Sequence, residues 1–583
     1  MENVALAFRT RDVLEVVLHF EGLHLNFLSD PAKALSQQLQ KLGERLKKLG
    51  LALAEKPLLL AKLREVSGDV SSSDGWMHGE TLRIHLAQKT VEVPVVWEPP
   101  VAASCKLSSP SPVLGVPVSA EAELLRCTRA ECTWIWERDE GGSGRTRRWQ
   151  EVGRGSVYVP GTEDEGGYLR VSCAPPSPVA AALSQVSKEP VKAAPADAWR
   201  WQELSAPQEG DIRMATYNVL ADAFATSKSA RAGMFSYCAP EVLAPGLRRQ
   251  RILRDLLKID ADIFGLQEVD TGQLAALQPM RELGWEQTYL QKAGASLDGC
   301  ALLWRSSRFQ AEGQLQWSLF GPVHTLPGLT PAQRCALQNQ PGQTTRQILE
   351  KITTVAQAVF LKDRRTGKRL LVANTHLYYH PNCNHVRLLQ LYMLLTVLAK
   401  EVREAQEQSG ESVYLVLLGD LNARKGNFGP SDRGQPPQAA YRLVRDGAIS
   451  REDSDWQHSL WVHSSLTRCV CCHDTGLVAV YGTCPLCEGL GLEAWHASWS
   501  PVQALELDLE LPWPLVDPND HIEVTNFTAD FQECLDYTLV DRRFRVARTF
   551  AAPELARLRA ATALPSEHFP SDHVPVVLEV AYE

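Results

Sequence analysis

Val413-Tyr414-Leu415-Val416-Leu417-Leu418-Gly419-Asp420-Leu421-Asn422 is six apolar or aromatic residues running into a glycine, a carboxylate and an amide. A run of that length reads as a strand buried on both faces. A carboxylate or amide placed at the end of such a β-type apolar run is a candidate site residue. Period-two alternation would place Asp420 and Asn422 on one face at the strand's C-terminal end. A carboxylate and an amide so paired can bind a metal ion and a phosphate together.

The same form recurs from residue 211 onward. IRMATYNVL, ADIFGLQE, CALLWR, AQAVFLK, RLLVANTHL, CLDYTLVD and VPVVLEV read as strands, with helices expected near 247–258 and 384–405. The expected fold class is therefore α/β, with enough strand for a layered sandwich.

Several of these runs end in polar residues. Asn218 follows MATY, and taken alone it reads equally well as a turn-forming asparagine. Glu268 ends IFGLQE, and a carboxylate buried there needs a metal or cationic partner. His376 ends LLVANTH on the same strand face as Asn374, where a satisfied core histidine is the alternative. Asp536 lies in CLDYTLV, and Asp572-His573 opens the closing strand after Ser571. An Asp that orients a His fixes its tautomer and raises its basicity. Hydrolysing a phosphodiester needs charge neutralisation at the phosphate, an activated water and help for the leaving oxygen. Five such stations in order point to metal-assisted phosphodiester cleavage.

TYNVLAD, LQEVD, NTHLYYHP, GDLNA, CLDY and SDH together resemble the motifs of the endonuclease/exonuclease/phosphatase superfamily, in its deadenylase-like branch. The resemblance covers roughly residues 75–583 with one interruption. It implies a four-layer α/β sandwich of two β-sheets flanked by helices, dependence on one or two Mg²⁺ ions, and release of 5′-AMP from oligo- or polyadenylate RNA, including 2′–5′ linkages. By the same resemblance Glu268 ligates the first Mg²⁺. Asp420 and Asn422 contribute to a second metal position and hold the phosphate, with Asp420 as proton donor or acceptor. Asn218 and His376 contact the phosphate or transition state. His573, oriented by Asp536, is the remaining acid/base partner, and Asp572 lies close to the metal. Other phosphodiesterases of the superfamily, such as DNA repair nucleases and lipid or inositol phosphatases, are the enzymatic alternatives. A non-catalytic RNA-binding adaptor is the other class.

The chain's 583 residues imply more than one domain. Residues 1–74 read as a hairpin, with Glu21-Gly22 near its turn, and a helix striped by Leu35, Leu39, Leu42, Leu46 and Leu49. That helix's Lys41, Arg45, Lys47 and Lys48 form either an RNA-facing or a merely solvated face. Residues 75–178 are β-rich, and Trp134, Trp136 and Cys173 suggest a preceding immunoglobulin-like sandwich, with Cys132 and Cys173 as buried thiols. Residues 179–209 read as a linker, and 210–583 as the catalytic domain.

The interruption, about 460–515, carries Cys469, Cys472, Cys484 and Cys487 as two C-x-x-C knuckles eleven residues apart, a zinc-ribbon pattern that implies a structural Zn²⁺. Trp456, Trp461, Trp495 and Trp499 offer either RNA-stacking surfaces or the insert's own core.

A net charge of −9 excludes a wholly basic nucleic-acid coat but not local basic patches. No run reaches the roughly 18 apolar residues of a membrane span. The family's association with mitochondria implies the matrix. The acids Glu2, Asp12, Glu15, Glu21 and Asp30 make no clear transit peptide, and the cytoplasm is the alternative.

Overall fold

Two six-stranded sheets carry residues 204–583, and the chain's apolar runs are their inner strands. The structure is a computed structural model. It describes residues 100–140, 147–176, 182–194, 204–294, 296–340, 345–380, 383–426, 436–456 and 505–583, with the backbone alone of some further strands. Contacts divide the chain into two units: 1–107 with 119–158 and 166–190, and 108–118 with 159–165 and 191–583.

In the larger unit the first sheet contains β1 (Ile212–Asn218), β2 (Ile263–Asp270), β3 (Trp285–Gln291), β4 (Asp298–Arg305), β11 (Phe544–Thr549) and β12 (Val576–Tyr582) in the order β3-β4-β2-β1-β12-β11. The second contains β5 (Phe309–Ser318), β6 (Val355–Asp363), β7 (Arg369–His376), β8 (Val413–Asp420), β9 (Leu515–Val516) and β10 (Asp536–Asp541) in the order β5-β6-β7-β8-β10-β9. Each sheet has one parallel pair at its centre, β1 with β2 and β7 with β8, and is otherwise antiparallel.

The sheets face each other across an apolar layer in which Met214, Ile263 and Leu302 meet Val372, Val416 and Leu418. Gly265 permits the close approach, since a Cβ there would stand 2.6 Å from the Leu418 Cβ. The outer face of the first sheet packs on α1 (Pro245–Ile259) through Ile252, Leu253 and Leu256. The outer face of the second packs on α2 (Asn384–Ser409) through Val386, Leu389 and Met393. The order is helix, sheet, sheet, helix. Every residue of β1, β2 and β8 is buried, as expected for strands covered on both faces.

The smaller unit holds a four-stranded antiparallel sheet that includes Thr133–Asp139 and Leu169–Ala174, and a three-stranded sheet that includes Val101–Leu107. Its N-terminal backbone pairs Leu14–Phe20 with Leu23–Ser29 around Glu21-Gly22. The expected leucine-striped helix lies outside the described residues.

Three expectations are corrected. Leu183–Val186, placed in the linker, is a strand paired with the Leu169–Ala174 strand, because its backbone completes a sheet edge. The insert, expected to run to about 515, ends earlier: Leu505, Leu507, Leu509 and Leu515 are buried in the core under the second sheet, and Leu515–Val516 forms its edge strand. Trp456 is fully buried in that core and offers no stacking surface. The side chains of the other three tryptophans, and the four knuckle cysteines, lie outside what the structure describes.

Candidate active site

The C-terminal ends of both parallel pairs point to one edge of the sandwich. Asn218 closes β1, Glu268 lies near the end of β2, His376 closes β7 and Asp420 closes β8. The antiparallel strands bring their starts to the same edge: Asp536 pairs with Asp420, and His573 precedes β12, whose Val576 pairs with Thr216. The period of the runs thus delivers six polar tips to one buried cleft.

Two of those tips are aimed by unusual backbone. The register of β2 against β4 shifts between Leu266 and Val269, and Glu268 takes a left-handed φ of 58°. A bulge of this kind re-aims a side chain that regular alternation would turn away. Asn422 takes φ 49° just beyond the end of β8. Asn422 therefore does not reach the site by strand alternation, as expected from the sequence. It turns back, with its backbone N–H donating to Asp420 Oδ1 at 2.9 Å. Its Nδ2 donates to the Leu377 carbonyl at 3.0 Å, so Oδ1 is the end that could meet a cation.

Asn218 joins the two sheets at the cleft. Its Nδ2 donates to Glu268 Oε1 at 3.1 Å and to Asp420 Oδ2 at 3.0 Å. The Ala221 N–H donates to the other Glu268 oxygen at 3.1 Å. Both amide protons of Asn218 thus serve carboxylates, where the sequence suggests a phosphate contact. Asp420 Oδ2 also faces His376 Nε2 at 3.6 Å and His573 Nε2 at 3.8 Å. His573 Nδ1 lies 2.7 Å from Asp536 Oδ2. The loop before β12 is pinned by the Ser571 hydroxyl, which donates to the Asn218 carbonyl at 2.7 Å.

Lys292 and Asp298 complete the site without any signal in the sequence, because they flank the β3–β4 turn and end no apolar run. Lys292 Nζ lies 2.7 Å from Asp298 Oδ2 and 3.3 Å from His376 Nδ1. An ammonium can only donate, so His376 Nδ1 accepts and the proton of the neutral ring sits on Nε2, facing Asp420. Burial, Lys292 and His573 together hold His376 well below the usual histidine range.

Asn374 does not enter the site. It accepts from Gln267 Nε2 at 2.7 Å and donates to the Leu266 and Ala301 carbonyls at 2.9 and 2.8 Å, clamping the two sheets together.

Burial pushes Glu268 up to about 8, reinforced by Asp298 and Asp572. Burial and then Asp536 push Asp420 up to about 7. Burial also raises Asp572. His573 shifts the other way: burial alone would lower it, but Asp536, Asp572 and Asp420 outweigh that and raise it to about 10.

The donor set fits a hard divalent cation. Glu268, Asp420, Asp536, Asp572 and Asp298 are all buried, with Lys292 and His573 as the neighbouring positive charges. Asp536 Oδ1 and Asn526 Oδ1 are buried with no hydrogen-bond partner among the described residues. Oxygen ligands of this kind suit Mg²⁺. Asp420, Asp536 and His573 offer ligand atoms within 4.8 Å of one another. The 2.7 Å contact between Asp536 and His573 makes those two an acid/base pair instead.

A buried cleft of carboxylates, two differently tuned imidazoles and a cation-ready acid pair, set on the strand ends of a two-sheet sandwich, is a site for hydrolysis of phosphodiester bonds. Residues 215–573 match the model of the Endonuclease/Exonuclease/phosphatase family, and the chain belongs to that family. The chain is a hydrolase acting on phosphodiester bonds, and members of the family are typically dependent on divalent metal. It is 24% identical to 2′,5′-phosphodiesterase 12 of Mus musculus over 91% of this chain and 81% of that one. It is 25% identical to the CCR4-Not complex 3′-5′-exoribonuclease subunit Ccr4 of Neosartorya fischeri over 63% of this chain and 47% of that one. Among solved structures it is similar to ANGEL2, a 2′,3′-cyclic phosphatase, at 20% identity and a TM-score of 0.45, covering 64% of this chain and 95% of that one.

Proposed function

We propose that the chain is a Mg²⁺-dependent 3′-end exoribonuclease that releases 5′-AMP from oligo- or polyadenylate RNA and accepts 2′–5′ as well as 3′–5′ linkages. The observation that carries this reading is the single buried cleft in which Asn218, Glu268, His376, Asp420, Asp536 and His573 converge. The 2′–5′ and 3′–5′ linkages rest on the names of the two relatives, and the adenylate substrate on the resemblance of TYNVLAD, LQEVD, NTHLYYHP, GDLNA, CLDY and SDH to the deadenylase-like motifs.

Glu268, Asp420, Asp572 and Asn422 would hold the cation. When bound, Mg²⁺ supplies charge neutralisation at the phosphate and lowers the pKa of a bound water. Asp536 keeps His573 protonated, and its Nε2–H faces the place where negative charge grows. His376, neutral and held by Lys292, presents a second Nε2–H to the same region. Asp420 Oδ2, facing Nε2 of both His376 and His573, is the carboxylate placed to accept a proton and return it. Tyr237, half-buried with its hydroxyl on the Leu564 carbonyl and within electrostatic reach of Asp572, is an aromatic surface available to a splayed base.

The zinc-ribbon spacing of the knuckle cysteines gives them a structural Zn²⁺, the β-rich Trp and Cys pattern of residues 75–178 an immunoglobulin-like character, and the family resemblance gives the protein a place in the mitochondrial matrix, which imaging of the tagged chain in cells tests. No helix among the described residues is long and apolar enough to cross a membrane.

The substrate is tested by offering purified protein 2′–5′ and 3′–5′ oligoadenylates, a DNA oligonucleotide and an inositol phosphate with Mg²⁺. AMP release from an oligoadenylate well above turnover of the other two is the expected result. Preference for DNA or inositol phosphate would replace the substrate while leaving the class.

A further inference from the structure

Four cysteines of the smaller unit converge from three parts of its chain. Cys105 is the single buried residue of the seven-residue strand Val101–Leu107, so its thiol is what that strand turns inward. That strand packs against the Leu169–Ala174 strand, which carries the fully buried Cys173. Trp134 pairs with Cys173 across the sheet, and Cys132 lies two residues before Trp134. Cys132 and Cys173 therefore share a sheet face as diagonal neighbours, and both are buried. Cys127 closes the group from the other end of a short turn, Arg129–Glu131, with its sulfur 3.9 Å from that of Cys132.

We infer that Cys105, Cys127, Cys132 and Cys173 form a thiolate site for a structural zinc ion in the smaller unit. Two thiolates on a tetrahedral zinc, with Zn–S near 2.3 Å, stand about 3.8 Å apart, which is the spacing of Cys127 and Cys132. A disulfide needs its sulfurs at roughly 2.05 Å. The turn between them is already built: Trp134 Nε1 donates to the Arg129 carbonyl at 3.1 Å, and the Arg129 guanidinium stacks over the Trp134 ring at 5.0 Å. Burial raises the Cys105 and Cys173 thiols, and Arg129 opposes that rise at both, so it would offset part of the charge of four thiolates. The sulfurs are looser than a closed tetrahedron, since the acid–imidazole trio of the larger unit is the group among the described residues whose ligand atoms all lie within 4.8 Å. Binding would draw the Cys105 and Cys173 sulfurs inward. A metal bound to the folded unit would add its binding free energy to that unit's folding.

The test is zinc content of the full chain purified under reducing conditions with zinc, measured by mass spectrometry of the metal. The knuckle cysteines are first removed together (Cys469→Ser, Cys472→Ser, Cys484→Ser and Cys487→Ser), so that their zinc cannot be counted. One equivalent of zinc should remain, and adding Cys132→Ser or Cys173→Ser should bring it to none. Cobalt(II) in place of zinc should give the strong sulfur-to-cobalt absorption of tetrahedral thiolate coordination, a readout that needs no further variant. No zinc in the knuckle-free chain, zinc that persists after both added substitutions, or a Cys127–Cys132 disulfide in the purified protein would each overturn the site.

Discussion

His573 Nδ1 stands 2.7 Å from Asp536 Oδ2, and both side chains are buried. Burial favours a neutral ring, yet the Asp536 carboxylate, with Asp572 and Asp420 behind it, pushes His573 up to about 10. Asp536→Asn removes the charge and keeps the shape. The rate should fall by about 10²–10⁴-fold, the usual worth of a positioned acid or base. The stability effect has a definite sign. A raised histidine adds stability that is complete below its ordinary value of 6.5 and is lost as pH rises through about 10. In EDTA, the margin of the wild type over Asp536→Asn should therefore be flat at acidic pH and shrink between those values. Denaturant melts at several pH values measure it, and a margin that widens with pH contradicts the pairing.

Glu268 behaves in the opposite sense. The unfolded chain releases its proton near 4.5, while the folded, metal-free chain holds it to about 8. Metal-free protein should lose stability across that interval, by an amount on the order of a few kcal/mol. Glu268→Gln should remove the loss and melt above the wild type at pH 8 in EDTA. With Mg²⁺ the order should reverse, because the wild type gains a ligand-bound state and the variant does not. Thermal melts with and without Mg²⁺ read both effects.

Lys292→Met leaves Asp298 as an uncompensated buried charge, which costs about 3–5 kcal/mol. It also removes the donor that fixes the His376 ring. The double variant Lys292→Met with Asp298→Leu should recover most of the stability, but not the rate. Recovery of both would make the pair purely structural.

Asn374→Ala should cost about 1–3 kcal/mol by stripping partners from Gln267 and two carbonyls. It touches none of the cleft residues through the bonds described above. At a temperature where the variant is folded, its KM and pH profile should match the wild type, which steady-state kinetics checks.

The inner strands were legible because both of their faces are buried, so VYLVLLGD contains no charged residue before Asp420 and IFGLQEVD none before Glu268. The tips were legible for the same reason, since a carboxylate that ends such a run stands out. The outer strands were not. Phe309–Ser318 alternates half-buried with exposed positions after Phe309, and Trp285–Gln291 is broken by polar residues, as edge strands facing water are. Lys292 and Asp298 escaped because a β-turn supplies them, and their meaning comes from His376, far away in sequence. Asn374 and His376 look alike from the sequence, two polar residues on one strand face. The strand's position decides between them: Asn374 lies against Gly265 within the sandwich and His376 at its rim. The left-handed backbone of Glu268 and Asn422 has no sequence signature, since neither residue is glycine.

The central claim is that the strand-end cleft cuts phosphodiester bonds with Glu268 holding the cation. Single-turnover release of AMP from an oligoadenylate, by wild type and Glu268→Ala in Mg²⁺ and in EDTA, tests it most directly. The account predicts release by the wild type in Mg²⁺ alone, and a rate lower by orders of magnitude for the variant, because metal-held charge is worth several kcal/mol. Release that survives EDTA, or a variant as fast as the wild type, would contradict it.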